Sequence, residues 1–290
     1  MKKNNNDNNI KAVVLAGGLG TRLYPLTRKT AKCMVPVNGK PLLEHIIQYL
    51  ASYGFREIVI TVGDRRQQIM KHFGNGSKFG VKLHYSVERK ALGTAGSLKN
   101  AERLITDTAL VMQSDTITNF KLNEIISFHK EKGALATIAL TSVKNAKGYG
   151  LAVMNENKRI TKFEEKPARS FSNLVNSGIY VLERKVLDHI PTNRKFDFSR
   201  DLFPLLLRKK LSLYGIEVSG YWFDIGTPDS YRNANEYLQL HETRRIHIKS
   251  LICSYRRLGG KGVYKTCVRI PYFSSLGWVL ESVCANSILQ

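Results

Sequence analysis

The order of apolar runs along this 290-residue chain predicts an α/β fold, a mostly parallel sheet flanked by helices. Three observations carry that expectation. Strand-like runs alternate with helix-periodic segments over residues 11–112. The first run, Lys11 to Ala16 (KAVVLA), feeds straight into a glycine-rich loop. Gly17 and Asp115 both follow apolar runs, so both are expected at strand carboxyl ends, the edge where such sheets bind ligands.

Each element follows from local pattern. KAVVLA is short, apolar and closed by Gly17-Gly18, as a buried strand entering a turn is. Pro41 opens LLEHIIQYLASYG, where apolar residues 42, 43, 46, 47 and 50 form a helical stripe and Gly54 suits a C-cap. Glu57 to Val62 is a strand, 65–73 a helix, 81–87 an alternating strand and 94–105 a helix. Ala109 to Met112 is a strand running into Gln-Ser-Asp. Further on, 136–143, 151–154, 159–163 and 178–182 read as strands with short connections, and 199–209 and 229–240 as helices. These extend the same domain with an added subdomain.

Composition sets the limits. With 43% hydrophobic residues the chain can bury one large core plus an appendage. Residues 1–9 are almost all Asn, Lys and Asp and are expected to be disordered. The two N-terminal lysines lead into no apolar stretch, as a signal peptide would require, and no window approaches the roughly 20 apolar residues of a membrane helix. A soluble, cytoplasmic protein with no membrane partner is expected. The formal charge of +22 suits anionic ligands, but the 45 Lys and Arg are scattered with no long basic block, so nucleic acid is not expected as a partner. Four cysteines without a C-x-x-C pair make neither a disulfide framework nor a zinc site.

The expected layout is thus residues 1–9 disordered, 10–240 the main domain, and 241–290 a C-terminal extension. In that extension Ile252, Leu258, Tyr264, Ile270, Leu276 and Ile288 fall on a six-residue spacing, broken at Ser282. Leu258-Gly259 and Leu276-Gly277 lie 18 residues apart, one turn of a three-sided coil. The extension is read either as degenerate hexapeptide coils, a vestigial left-handed β-helix, or as an irregular segment packed on the main domain.

The chemistry begins at Leu15-Ala16-Gly17-Gly18-Leu19-Gly20-Thr21-Arg22. Three glycines let backbone N–H groups approach an anion, and Arg22 adds a planar cationic fork for phosphate oxygens. A Walker loop fails because Gly-x4-Gly-Lys-Ser/Thr is absent, and a dinucleotide fingerprint fails because Leu23 stands where its third glycine belongs. The loop continues as Tyr24-Pro-Leu-Thr27, Lys32, and Met34-Val-Pro-Val-Asn-Gly-Lys-Pro-Leu42. The whole segment resembles the signature of sugar-1-phosphate nucleotidyltransferases, most closely the mannose-1-phosphate guanylyltransferase-like branch, over about residues 11–240.

That resemblance implies a Rossmann-like, nucleotide-diphospho-sugar transferase fold, and a role for each matching residue. Leu15, Ala16, Gly17, Gly18, Gly20 and Thr21 would bind the nucleotide, with Arg22 and Lys32 as the catalytic cations on the triphosphate. Leu92-Gly93-Thr94-Ala95-Gly96 resembles the base-reading loop, with Gly93 and Thr94 the contacts, in a form frequent in guanylyltransferases. Asp115 and Asp224, the latter in Trp222-Phe-Asp-Ile-Gly-Thr-Pro228, resemble a pair of Mg²⁺-binding carboxylates, a donor set suited to a hard cation shared with phosphates. Glu165, Lys166, Gly150 and Asn176 resemble the sugar-phosphate contacts, through the Glu-Lys-Pro, Tyr-Gly and Asn-x-Gly motifs. Two departures stand out. Ala31 and Cys33 flank Lys32 where the family usually has prolines, which predicts a looser loop, and Ser114 replaces the glycine before Asp115.

The implied reaction is nucleotidyl transfer from an NTP, GTP by best match, to a sugar 1-phosphate, mannose 1-phosphate by best match, giving NDP-sugar and pyrophosphate. The alternatives are a glucose-1-phosphate thymidylyl- or uridylyltransferase, or a non-catalytic regulatory homologue. In this family hexapeptide coils often build oligomers, which leaves a homo-oligomer open.

Overall fold

The computed structural model describes residues 10–241 and the backbone of 265–274 and 277–286. In chain order the first half holds β1 (Lys11–Leu15), the short β2 (Pro36–Val37) and β3 (Lys40–Pro41), α1 (Leu42–Ser52), β4 (Glu57–Val62), α2 (Arg66–Phe73), β5 (Lys82–Val87), α3 (Gly93–Asn100) and β6 (Ala109–Gln113). Then come β7 (Thr116–Thr118), α4 (Leu122–Glu131), β8 (Ala136–Ser142), β9 (Gly150–Met154), β10 (Ile160–Glu165), β11 (Leu174–Leu182), α5 (Phe203–Arg208), β12 (Leu213–Glu217) and β13 (Trp222–Asp224). A helix over 228–241 follows, and β14 (Lys265–Ser274) and β15 (Gly277–Asn286) pair with each other.

One sheet organises residues 10–236. Its path is β10-β9-β11-β6-β1-β4-β5, with β8 paired to β11 and β12 to β8. Strands β6, β1, β4 and β5 are parallel, as the alternating pattern predicts, whereas β9, β10 and β11 join antiparallel. Parallel strands are covered on both faces, which explains why β1 is apolar without alternation from Ala12 to Leu15, after the half-buried Lys11. Ala12 and Val14 pack into the core under α1, α2 and α4, while Val13 and Leu15 pack into the opposite core under α3 and α5.

The boundaries differ from the sequence reading where side chains intervene. The helix expected over 94–105 stops at Asn100, whose amide turns to Ser86 Oγ and the Val87 carbonyl, and a separate 3₁₀ turn, Glu102–Leu104, follows. The helix expected over 199–209 is a π-turn, Phe198–Leu202, leading into α5, because Pro204 has no N–H to give the ladder. The strand expected over 178–182 begins at Leu174, with a register shift around Gly178, whose φ is +82°. Besides the two- and three-residue strands β2, β3, β7 and β13, two longer elements escape the pattern. The stripe of α4 includes the polar His129, and β12 carries Gly215 at its centre, where a Cβ would lie 2.5 Å from Met154 Sδ.

The extension also departs from its pattern. Hexapeptide coils run in parallel with a corner every six residues. In their place β14 and β15 pair antiparallel, from Lys265↔Asn286 to Ser274↔Gly277. Of the spaced positions, Ile270 lies in β14, and Ile252, Leu258, Tyr264, Leu276 and Ile288 lie outside the described residues.

Candidate active site

The parallel strands end on one edge, and their loops carry the candidate residues. After β1 the chain turns at once. Leu15 and Ala16 keep their side chains in the core, the Leu15 carbonyl accepts the Ser114 N–H and the Ala16 N–H donates to the Thr61 carbonyl. Gly17 and Gly18 are exposed beside Gly63. Gly20 sits at φ +68°, and a Cβ there would lie 2.9 Å from Lys32 Cβ and Cγ, so glycine lets the lysine stem cross beneath the loop. Thr27 Oγ1 closes the turn by donating to the Gly20 carbonyl at 2.6 Å. Thr21 and Arg22 open a 3₁₀ turn that sends the guanidinium toward Asp224, both within 3.4 Å of where a Gly226 Cβ would stand.

Asp115 follows β6, and the β7–β13 ribbon brings the second carboxylate to it. Thr116 pairs with Asp224, and the Ile225 N–H donates to the Asp115 carbonyl at 2.8 Å. Lys32, only 8% exposed, makes an ion pair with Asp115 Oδ2. Burial, followed by the neighbouring Asp115, raises the Asp224 carboxyl above the ordinary range, against the pull of Lys32, Arg22 and Lys166. Two neighbouring carboxylates with three cations nearby suit a divalent cation held jointly with phosphate oxygens. Among the described residues no three His, Cys, Asp or Glu cluster as a metal site. Cys33, beside the lysine, is buried and its thiol is pushed up to about 12 by that burial, so it is a packing residue.

Across the same cavity stand Glu165, Lys166, Gly150 and Asn176. A Cβ on Gly150 would lie 2.6 Å from Glu165 Oε2, which ties that glycine to the glutamate. Burial raises the Glu165 carboxyl, opposed by Lys166 and Arg200. Lys166 has φ +52°, with its N–H on the Tyr149 carbonyl at 3.1 Å, and its exposed ammonium turns to the cavity rim. The Asn176 amide is engaged inward, donating to Tyr180 and Ser199 hydroxyls and accepting the Gly178 N–H. Tyr149 and Trp222, which lie within motifs of the sequence but carry no role of their own there, pack at 5.3 Å and wall the cavity.

Gly93 and Thr94 stand apart from this cavity. A Cβ on Gly93 would lie 2.8 Å from the Phe196 carbonyl, and the Thr94 N–H and hydroxyl both turn to Asp197 Oδ1. That segment is held by packing on 194–198. A buried polar group that reaches toward the Gly17 loop is Glu88, one residue past β5 and 5% exposed. Its Oε2 accepts the Leu92 N–H at 3.3 Å, and its Oε1 is buried, has no hydrogen-bond partner among the described residues, and lies 3.3 Å from where a Gly17 Cβ would stand. Burial raises this carboxyl. In the sequence Glu88 hides in Glu-Arg-Lys, which reads as a solvated charge run; its one signal is its place directly after an alternating strand.

A parallel sheet with a glycine loop, three cations and two carboxylates at one edge is an arrangement suited to phosphorylated ligands. The chain belongs to the nucleotidyl transferase family, whose model matches residues 11–240. It is 34% identical over 258 residues to the UTP–glucose-1-phosphate uridylyltransferase of Synechocystis sp., covering 83% of this chain and 66% of that protein. It is 35% identical over 224 residues to the mannose-1-phosphate guanylyltransferase of Mycobacterium tuberculosis, covering 77% and 62%. This chain therefore spans less than two thirds of the length of those relatives. Among solved structures, a Bacillus anthracis protein described as a glucose-1-phosphate thymidylyltransferase superposes with a TM-score of 0.72 at 31% identity, covering 79% of this chain and 94% of that one. HddC from Yersinia pseudotuberculosis gives 0.70 at 27% identity, covering 79% and 99%.

Proposed function

We propose that this chain transfers a nucleotidyl group from GTP to a sugar 1-phosphate, mannose 1-phosphate first among candidates, releasing pyrophosphate. The observation that carries this reading is the convergence of Arg22, Lys32, Asp115, Lys166 and Asp224 on one cavity edge. Three cations face the phosphates of two substrates, and two carboxylates suit Mg²⁺ between them. A bound Mg²⁺ would neutralise charge on the triphosphate. Lys166, on the rim beside Glu165, orients the incoming sugar phosphate. One of its oxygens attacks the α-phosphorus in line, the bond to the bridging oxygen breaks, and pyrophosphate carries away that electron pair. Lys32 and Arg22 balance charge as it builds on the α-phosphate and the leaving group. A phosphate dianion is already nucleophilic, so no general base is required.

Guanine is favoured by the chemistry of Glu88. A carboxylate accepts hydrogen bonds and donates none. The guanine Watson–Crick edge offers two adjacent donors, N1–H and N2–H, whereas uracil and thymine offer one N–H between two carbonyls. The unpartnered Oε1 beside the glycine loop supports a donor-rich base. The names of the relatives divide among guanylyl, uridylyl and thymidylyl transferases, so uridylyl or thymidylyl transfer to glucose 1-phosphate is the second reading. Pyrophosphate release measured for each NTP against mannose and glucose 1-phosphates decides between them. Turnover with GTP and mannose 1-phosphate above all other pairs is expected. No release with any pair would favour a non-catalytic homologue.

A further inference from the structure

The segment entering Lys32 lacks the flanking prolines that would stiffen it, yet the fold holds it tightly from outside. Arg65, the residue before α2, donates from Nη1 to the Thr27 and Thr30 carbonyls, both at 2.6 Å, and from Nη2 to the Arg28 carbonyl at 2.8 Å. Gln68, in the first turn of α2, donates to the Lys29 carbonyl at 2.7 Å and accepts the Ala31 N–H at 2.9 Å. Four successive carbonyls and the next N–H are thus bonded to two side chains of one neighbouring element. Lys32 follows directly, its stem confined under Gly20 and its ammonium on Asp115.

We propose that Arg65 and Gln68 are positioning residues for Lys32, a side-chain clamp that does here what backbone rigidity would otherwise do. This rests on the reading of Lys32 as a cation of nucleotidyl transfer. Gln68 is exposed and Arg65 half-buried, so neither is needed to fill the core. Both ends of the Gln68 amide are used on the loop, an arrangement that an incidental surface glutamine does not require. Arg65 bonds three carbonyls as a planar fork, which a lysine point charge cannot copy. Ala31 itself sits at φ −59°, ψ 140°, inside the range fixed by a proline ring. Proline there would forgo the N–H that Gln68 accepts, and would supply the stiffness within the chain.

The test compares wild type, Gln68→Ala, Arg65→Lys, and Gln68→Ala combined with Ala31→Pro, by pyrophosphate release and by amide hydrogen exchange across 27–34. For Gln68→Ala the expected loss in kcat is about tenfold, as for a slightly misplaced catalytic group, with KM for both substrates within about twofold. Exchange across 27–34 should speed up, the melting temperature should stay close to wild type, and adding Ala31→Pro should restore most of kcat. Arg65→Lys should behave like Gln68→Ala. Unchanged kcat in both single variants would overturn the clamp, and so would a loss that Ala31→Pro does not restore while exchange stays at the wild-type rate. If the wild-type protein releases no pyrophosphate with any substrate pair, the functional reading fails separately. Faster exchange in Gln68→Ala, slowed again by Ala31→Pro, would then uphold the clamp, and unchanged exchange would sink it.

Discussion

Lys166 lines the cavity and Lys32 reaches it through Asp115, and their different surroundings predict different roles. Lys32 is buried and paired with Asp115, while Lys166 is exposed at the rim beside Glu165. Lys32→Ala should therefore slow the chemical step with modest change in KM. Lys166→Ala should raise KM for the sugar phosphate by about tenfold, equal to ~1.4 kcal/mol, with less effect on kcat. If both variants raise only the KM for the nucleotide, the assignment of Lys166 is wrong. Asp115→Asn and Asp224→Asn each remove charge from the paired carboxylates, and kcat at saturating Mg²⁺ should drop by about a hundredfold or more. Full turnover by either variant would take that aspartate out of the site. Glu88→Gln places one donor beside the loop where only acceptors stood. Activity with GTP should fall relative to UTP or dTTP, read as the ratio of kcat/KM values; an unchanged ratio would remove Glu88 from base selection. The glycines, cations and aspartates were legible as sequence because they fall in unusual strings, whereas Glu88 takes its meaning only from burial.

At the scale of elements, α4 is joined to the sheet by one buried polar node. His129 is 2% exposed, with Nδ1 at 2.8 Å from Thr137 Oγ1 in β8 and Nε2 at 3.0 Å from Glu183 Oε1 just past β11. Thr108 Oγ1 also donates to that Glu183 oxygen, at 2.9 Å. Burial lowers the His129 pKa below its ordinary 6.5, against the opposite pull of Glu183. The unfolded chain therefore binds the proton more readily than the folded one. The stability contributed by neutral His129 is present above the unfolded value and is lost as pH falls below it. Melting temperatures of wild type and His129→Gln at pH 7.5 and pH 5.5 test this: wild type should lose more on acidification than the variant does. Equal losses would show that His129 does not titrate across folding. The helical stripe of α4 was hard to read in sequence for the same reason, since one of its four buried positions is a histidine.

At the scale of the molecule, the chain divides into two compact units, Met1–Glu236 and Tyr237–Gln290, and every candidate site residue lies in the first. A protein ending at residue 242 should therefore retain pyrophosphate release, while its oligomeric state or solubility changes. Light scattering and the pyrophosphate assay on that protein decide it. A soluble, folded truncation without activity would show that the extension supplies part of the site. No helix among the described residues is long and apolar enough to cross a membrane.

Sequence patterns suffice for features set by neighbours along the chain. Alternating strands and helices, the positive-φ turn at Gly20 and the apolar run of β1 are local, so their residues announce them. The antiparallel additions to the sheet, the three-residue ribbon that sets Asp224 beside Asp115, and the bonds from Arg65 and Gln68 to 27–31 join residues far apart in sequence. The same holds for the paired strands of the extension, where the six-residue spacing leaves coils and an irregular segment open and β14 pairs antiparallel with β15. A six-residue repeat constrains periodicity along one strand, whereas pairing depends on which strand becomes its neighbour. The loose loop expected from Ala31 and Cys33 is likewise tightened by side chains that lie more than 30 residues later in the chain, a distance only folding closes.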